Sequence, residues 1–326
     1  MSSPSENLSP DAERWVAPPR PTTRSGEARA VGVEIEFGNL DVRRTAEIVR
    51  DLWGGTIEPR GDHHATISGA TFGDFVVTLD TRFAKGGETE TARMVRNAIG
   101  HAAGAIVPVE VVCPPMPWSE AHELERLSAA LRRADAAGSR AAPYFAFGVH
   151  LNVELPDLTP ETILGGIRAF ALLHPWLKVR GGIDPARRIA SFATAFPDGY
   201  ARRIFDPGYA PDLEELTRDY LDDNATRNRA LDVLPILAEL APDLVEARLP
   251  DEKIGARPTW HYRLPNSEVD DPAWRLGGEW ARWVAVERLA EDGDRLAHAM
   301  ARARDAGRRE AEAIAFEIGD ELCPAP

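Results

Sequence analysis

The segment VGVEIEFGNL, residues 31–40, constrains the fold more than any other ten residues of the chain. Val31, Val33, Ile35 and Phe37 alternate with Gly32, Glu34, Glu36 and Gly38. Successive side chains of a strand point to opposite faces, so this period-two pattern predicts a strand with one apolar and one acidic face. Glu34 and Glu36 then project from the same face, roughly 7 Å apart at twice the rise per residue. Like charges at that spacing tolerate each other best with cations between them. Mg²⁺ is satisfied by carboxylate oxygens, so such a pair can bridge or flank two ions. Taken alone, the segment fits a simpler reading better, a solvated strand face that happens to be acidic.

Further strands repeat the pattern. Asp80 ends FVVTLD, Glu110 lies within VPVEVVCPP, and His150 and Asn152 share the polar face of FAFGVHLNVEL, with Glu154 as a weaker continuation. In TWHYRLP, His261 and Arg263 fall on one face and Trp260 and Tyr262 on the other. A polar side chain within an apolar strand needs a partner when buried. A concave sheet would gather these carboxylates and imidazoles into one place, with Arg263 offering a planar fork of donors suited to phosphate or to one of the acids.

The remaining punctuation sets the architecture. Residues 1–29 are rich in Pro, Ser, Thr and charge, and read as a flexible tail or an arm on the domain surface. Asp41 can cap a helix over about 42–53, and Gly69, Gly73 and Asp74 mark a turn between two short strands. Helices are expected over about 89–103 and 118–137, and a largely helical insert over about 159–250. The strand near 258–264 precedes two closing helices, about 272–290 and 293–319. Strands buried on both faces of a parallel sheet run continuously apolar, whereas these alternate. The expectation is therefore α+β: a curved antiparallel sheet with helices on its outer face, filling one catalytic domain over about 30–322.

A net charge of −14 over 326 residues argues against a nucleic-acid partner, and the arginine pairs are scattered among acids. Cys113 and Cys323 form no framework; Cys113, in an apolar run, reads as a small core residue. No apolar stretch is long enough for a bilayer, and the N-terminal residues lack the apolar region of a signal peptide. The expected location is the cytoplasm, with no membrane partner.

GVEIEF, the glutamate of PVEVVCPP, the histidine of FGVHLNV and the late HYRLP follow the order seen in the amidoligases. That family is similar in fold to glutamine synthetase and glutamate–cysteine ligase. DNATRNRALDVLPILA, 223–238, resembles its helical region, and the resemblance spans roughly residues 30–290. It implies a funnel of antiparallel strands that binds ATP and two or more Mg²⁺ ions. By matching positions, Glu34 and Glu36 would each hold a different metal. Glu110 would hold the ion on the substrate side, His150 the ion on the ATP phosphates, and Arg263 would stabilise the transferring phosphoryl group. Asp80 would ligate metal or meet the incoming amine. One departure stands out: related enzymes carry Glu two residues before that Arg, where this chain has His261. Imidazole suits Mg²⁺ less well than carboxylate does; His261 could take the role with Mn²⁺, or the second ion could be held more loosely, so the number of ions stays open.

The implied reaction converts a small-molecule or peptide carboxylate to an acyl phosphate with ATP, after which an amine attacks and phosphate leaves. Phosphoryl transfer asks a protein mainly for positioning and charge neutralisation. No G-x-x-x-x-G-K-[ST] or G-x-G-x-x-G motif occurs, so nucleotide binding would fall to metals and to Lys178, Arg180, Arg187 and Arg227. A metal-dependent hydrolase and a catalytically retired nucleotide- or metal-binding module are the competing readings. Neither the oligomeric state nor the acid and amine can be read from the residues.

Overall fold

A computed structural model describes residues 15–79, 107–142, 145–184, 187 and 193–323. Its centre is a nine-stranded antiparallel sheet. The strands are β1 (Ala30–Phe37), β2 (Thr56–Pro59), β3 (His64–Ala70), β4 (Gly73–Leu79), β5 (Val109–Val112), β6 (Met116–Pro117), β7 (Val149–Glu154), β8 (Leu231–Asp232) and β9 (Thr259–Tyr262). They run in the order β2-β3-β4-β5-β1-β7-β9-β8, with β6 pairing the start of β1. The sheet is open, as expected of an α+β chain whose strands alternate. Ten α-helices accompany it among the described residues: α1 (Val42–Trp53), α2 (Glu125–Arg133), α3 (Pro160–Arg180), α4 (Asp198–Ile204), α5 (Leu213–Asn224), α6 (Leu234–Leu240), α7 (Pro242–Arg248), α8 (Leu276–Glu291), α9 (Gly293–Asp305) and α10 (Arg308–Leu322). None of these helices is long and apolar enough to cross a membrane.

Helix α1 occupies the residues its stripe predicts, and the Asp41 side chain accepts a hydrogen bond from Arg44 N at 2.7 Å. Its buried Trp53 stacks on Phe75 of β4, 5.0 Å between ring centres. The β3–β4 turn uses Gly69 and Gly73 at positive φ, and Asp74 Oδ1 accepts from Gly69 N at 2.9 Å. At the other end of the sheet, Tyr262 and Trp260 of β9 pack against Trp283 of α8, and Phe170 of α3 meets Tyr262. A side chain on Gly166 of α3 would overlap the Trp260 ring, so glycine there lets helix and strand close together. Helices thus cover the apolar face of the sheet, where Val31, Val33, Ile35, Phe37, Val111, Val149, Leu151 and Val153 are all buried.

Several boundaries differ from expectation. The helix expected at 118–137 is a short 3₁₀ turn, Ala121–Leu124, leading into α2, and the chain leaves it through Asp135 at φ 64°. The final expected helix is two, because Gly307 starts α10 after a break from α9. The helical insert contains β8, a two-residue strand beside β9. The helix expected at 89–103 lies outside the described residues.

The stretch read as tail or arm lies, from residue 15 on, against the helical layer. Trp15 is buried and stacks on Trp280 at 5.5 Å. Arg29 makes two hydrogen bonds to the Glu287 carboxylate, at 2.9 and 2.6 Å, and one to the Glu154 carbonyl at 2.6 Å. Trp283 Nε1 also donates to Glu287, at 2.9 Å. Removing one member of a buried pair strands the other charge. Arg29→Ala should therefore lower unfolding free energy by about 3–5 kcal/mol in urea titrations. Arg29→Ala with Glu287→Leu should cost less than Arg29→Ala alone, and the reverse order would show that the pair is not what Arg29 contributes.

Candidate functional site

The register of the sheet decides which polar residues meet. Glu36 lies opposite Glu110, Glu34 opposite His150, Asn152 opposite His261, and Asp232 opposite His261. Residues directly opposed on antiparallel strands share a face. Glu110, Glu36, Glu34, His150, Asn152, His261 and Asp232 therefore form one polar band across β5, β1, β7, β9 and β8. The band is not a solvated face. His150 is 2 % exposed, His261 3 %, Glu36 4 %, Glu110 7 % and Asp232 1 %.

Within the band, carboxylates and imidazoles alternate. His150 Nδ1 is 2.8 Å from Glu34 Oε2, and His150 Nε2 is 3.9 Å from Glu36 Oε1. His261 Nδ1 is 3.4 Å from Asp232 Oδ2, and His261 Nε2 is 4.0 Å from Glu34 Oε2. The row reads Asp232, His261, Glu34, His150, Glu36. An ionised carboxylate only accepts, so the proton of the His150–Glu34 contact sits on Nδ1 and the lone pair on Nε2. Glu34 takes a second hydrogen bond from Asn152 Nδ2 at 2.8 Å, and Arg257 Nη2 donates to Asn152 Oδ1 at 2.6 Å. Glu36 Oε2 accepts from Gly148 N at 2.7 Å. Both ring nitrogens of His261 are buried; Nδ1 faces Asp232, and Nε2 has no hydrogen-bond partner.

Burial pushes His150 down to about 4, against the pull of Glu34, and His261 down to about 4, against Asp232 and Glu34. Burial alone would raise the Glu34 carboxyl, but the His150 hydrogen bond, the nearby imidazoles and Asn152 outweigh it and hold the acid well below its ordinary range. At pH 7 Glu34 is thus a carboxylate beside two neutral imidazoles, which is the protonation state metal ligation requires.

Two groups of donors result. Glu34, His150 and His261 offer one donor atom each within 4.8 Å of one another, and so do Glu36, Glu110 and His150. The gaps of 3.9 and 4.0 Å between imidazole and carboxylate can be spanned by two metal–ligand bonds of about 2.0–2.2 Å. The unpartnered, buried Nε2 of His261 points the same way. The residues fit divalent cations.

Residues 27–285 match the family described as "Putative amidoligase enzyme". The chain belongs to that amidoligase family. No curated protein and no solved structure matches it. Membership makes the chain a ligase, an enzyme that forms amide bonds.

The other sequence candidates of this amidoligase fall in three places. Arg263 lies at the end of β9 beside the band, 5 % exposed, and its guanidinium donates to the Arg227 carbonyl. Arg187 is also beside it, facing the Glu36 charge, with burial lowering it to about 10. Its terminal nitrogens donate to the carbonyls of Ala146 and Arg263, at 2.7 and 2.6 Å, so in this structure it braces backbone. The Arg227 side chain is half-buried and near Arg257. Lys178 and Arg180 end α3 in the helical layer, where Arg180 binds Asp320 of α10 at 2.5 and 2.8 Å. The structure does not bring these two to the polar band. Asp80 lies outside the described residues. Glu154 accepts from Ala30 N at 2.8 Å and so fastens the start of β1.

Two members of the site went unread. Asp232 sits between apolar residues in a run taken as helical, and a two-residue strand carries no usable period. Arg257 precedes a proline outside any pattern. An acid flanked by LDVL was the available signal.

Two expectations follow for the amidoligase. Glu34→Gln and Glu36→Gln should each weaken Mn²⁺ binding severely in calorimetric titration while leaving the circular dichroism unchanged; unaltered affinity in both would return the pair to a structural role. The second concerns acid. A histidine held near 4 when folded and near 6.5 when unfolded keeps its full contribution above about pH 6.5, and loses it as pH falls toward 4. His150, His261 and the half-buried His174, likewise lowered to about 4, all act in this sense, as does Glu34 below its ordinary range. The urea midpoint should fall steadily from pH 6.5 to 4. His174→Leu should flatten that fall without changing Mn²⁺ affinity.

Proposed function

We propose that this amidoligase is an ATP-dependent carboxylate–amine ligase of the glutamine-synthetase-like type, working in the cytoplasm through an acyl phosphate. The observation that carries the reading is the double donor group on one sheet face, flanked by Arg263, in a chain of this family. Glu36, Glu110 and His150 would hold one divalent cation, Glu34 and His261 a second. Bound Mg²⁺ or Mn²⁺ would neutralise phosphate charge and orient the nucleotide.

The chain's own groups define the rest. Arg263, an always-charged planar donor beside the band, stabilises negative charge on the transferring phosphoryl group. The substrate carboxylate attacks the terminal phosphorus of ATP and ADP departs. The amine then attacks the acyl carbon, loses a proton, and phosphate leaves. The low exposure of the band keeps water from the acyl phosphate, which hydrolysis would otherwise waste. A small-molecule or peptide acid and an amine are the partners that this chemistry takes.

The test needs no knowledge of either partner. Hydroxylamine replaces the amine and traps an acyl phosphate as a hydroxamate, so a broad screen of amino acids, short peptides and diacids with ATP and Mg²⁺ or Mn²⁺ should yield hydroxamate and ADP together. Arg263→Ala should lower that rate by about two to three orders of magnitude. Product release without ATP would indicate a hydrolase. Nucleotide binding with no ADP formed across the screen would indicate a retired binding module.

A further inference from the structure

We propose that Asp232 is a positioning residue that presents His261 as an Nε2 metal ligand, and that the ion between His261 and Glu34 is a transition metal such as Mn²⁺ in preference to Mg²⁺. The inference deepens the two-ion reading above and rests on it.

The contact between Asp232 and His261 is imposed by the sheet. The two residues are directly opposed on β8 and β9, which brings their Cβ atoms to about 4.5–5.5 Å. Asp232 Oδ1 accepts a hydrogen bond from Leu234 N at 3.0 Å, which fixes the carboxylate at the start of α6. That leaves Oδ2 to face His261 Nδ1, 3.4 Å away. A carboxylate can only accept, so the neutral ring keeps its proton on Nδ1 and aims the Nε2 lone pair at Glu34 Oε2. Nε2, buried, and that oxygen, on a half-buried carboxylate, are both electron-rich and lie 4.0 Å apart. A cation between them turns a repulsion into two bonds.

The same device occurs a second time on this sheet. Glu34 backs His150 Nδ1 at 2.8 Å, and His150 Nε2 faces Glu36 at 3.9 Å. The two copies differ in donor balance. Around His150 Nε2 stand two carboxylates, Glu36 and Glu110, an oxygen-dominated set that suits a hard ion. Opposite His261 stands Glu34 alone, because His150 keeps its proton on Nδ1, toward Glu34, and its lone pair on Nε2, toward Glu36. This second set is half nitrogen, and imidazole favours first-row transition metals over Mg²⁺. A carboxylate behind a ligating imidazole fixes its tautomer and raises its basicity. Asp232 thereby makes a usable ligand of a histidine that stands where an oxygen donor would be simpler.

The test uses the full-length protein and metal ions alone. On metal-free wild type labelled with ¹⁵N-histidine, long-range proton–nitrogen spectra should show His261 protonated at Nδ1; protonation at Nε2 would overturn the proposal without any variant. In calorimetric titrations, Asp232→Ala should weaken Mn²⁺ binding about 10–100-fold and change Mg²⁺ binding less than twofold. His261→Glu should narrow the Mn²⁺-to-Mg²⁺ affinity ratio about tenfold or more by improving Mg²⁺, and should remove one imidazole nitrogen signal from the pulsed electron paramagnetic resonance of bound Mn²⁺. Asp232→Asn, similar in volume, replaces Asp232→Ala if the latter fails to fold, with a smaller loss of Mn²⁺ affinity expected. Unchanged Mn²⁺ affinity in a folded Asp232 variant, or an unchanged nitrogen signal in His261→Glu, would sink the idea. These readouts involve no turnover, so a failed hydroxamate screen would remove the ligase reading and leave them standing.

Discussion

Period-two alternation along β1 ties the hydrophobic core to the chemistry. The backbone that buries Val31, Val33, Ile35 and Phe37 must turn Glu34 and Glu36 to the opposite face. β1 is paired on both sides, to β5 and β7, so its register is set twice. A slip of one residue would drive two carboxylates into the core and expose four large apolar side chains. That penalty locks the pairing, and the pairing places Glu110 and His150 beside the acids of β1. β9 inherits the arrangement from β7, and β8 from β9. The site is thus a consequence of how the core packs.

Strand periodicity and helix capping are local properties, and they were legible. The acids of β1, Glu110, His150 and His261 could be placed on one face because each strand announced its faces by its own alternation, and Asp41 marked the start of α1. What stayed hidden depends on contacts between distant segments. Arg187 is positively charged and lies at the site, as a phosphate ligand should, yet its two terminal nitrogens donate to the carbonyls of Ala146 and Arg263. Nothing in a linear pattern distinguishes those uses. Trp15 finds Trp280 and Arg29 finds Glu287 across more than two hundred residues, which converts part of an apparently featureless N-terminal stretch into a packed arm. β8 is too short to show a period, and Asp232 came with it.

Gathering Glu34, Glu36 and Glu110 on one dry face costs folding energy, because like charges and buried carboxylates both oppose it. The structure offsets part of that cost with fixed donors: Gly148 N for Glu36, Asn152 and the His150 ring for Glu34, with Arg187 and Arg257 contributing charge nearby. Sites that gather like charges this way trade stability for binding, and a ligand of opposite charge would offset the cost.

His150 settles how the band divides its work. It belongs to both donor groups, but a neutral imidazole has one lone pair, and giving the ring a second metal would require removing its last proton. With Nδ1 committed to Glu34 at 2.8 Å, the lone pair belongs to the side of Glu36 and Glu110. Glu34 then serves two neighbours at once, orienting His150 through one contact and facing His261 Nε2 across the other. A substitution at Glu34 must therefore disturb both donor groups, whereas one at Glu110 reaches only the oxygen-rich group and one at Asp232 only the other. The alternation of acid and imidazole thus sets Glu34 between the two donor groups, as the acceptor that orients His150 of one and as a donor atom of the other.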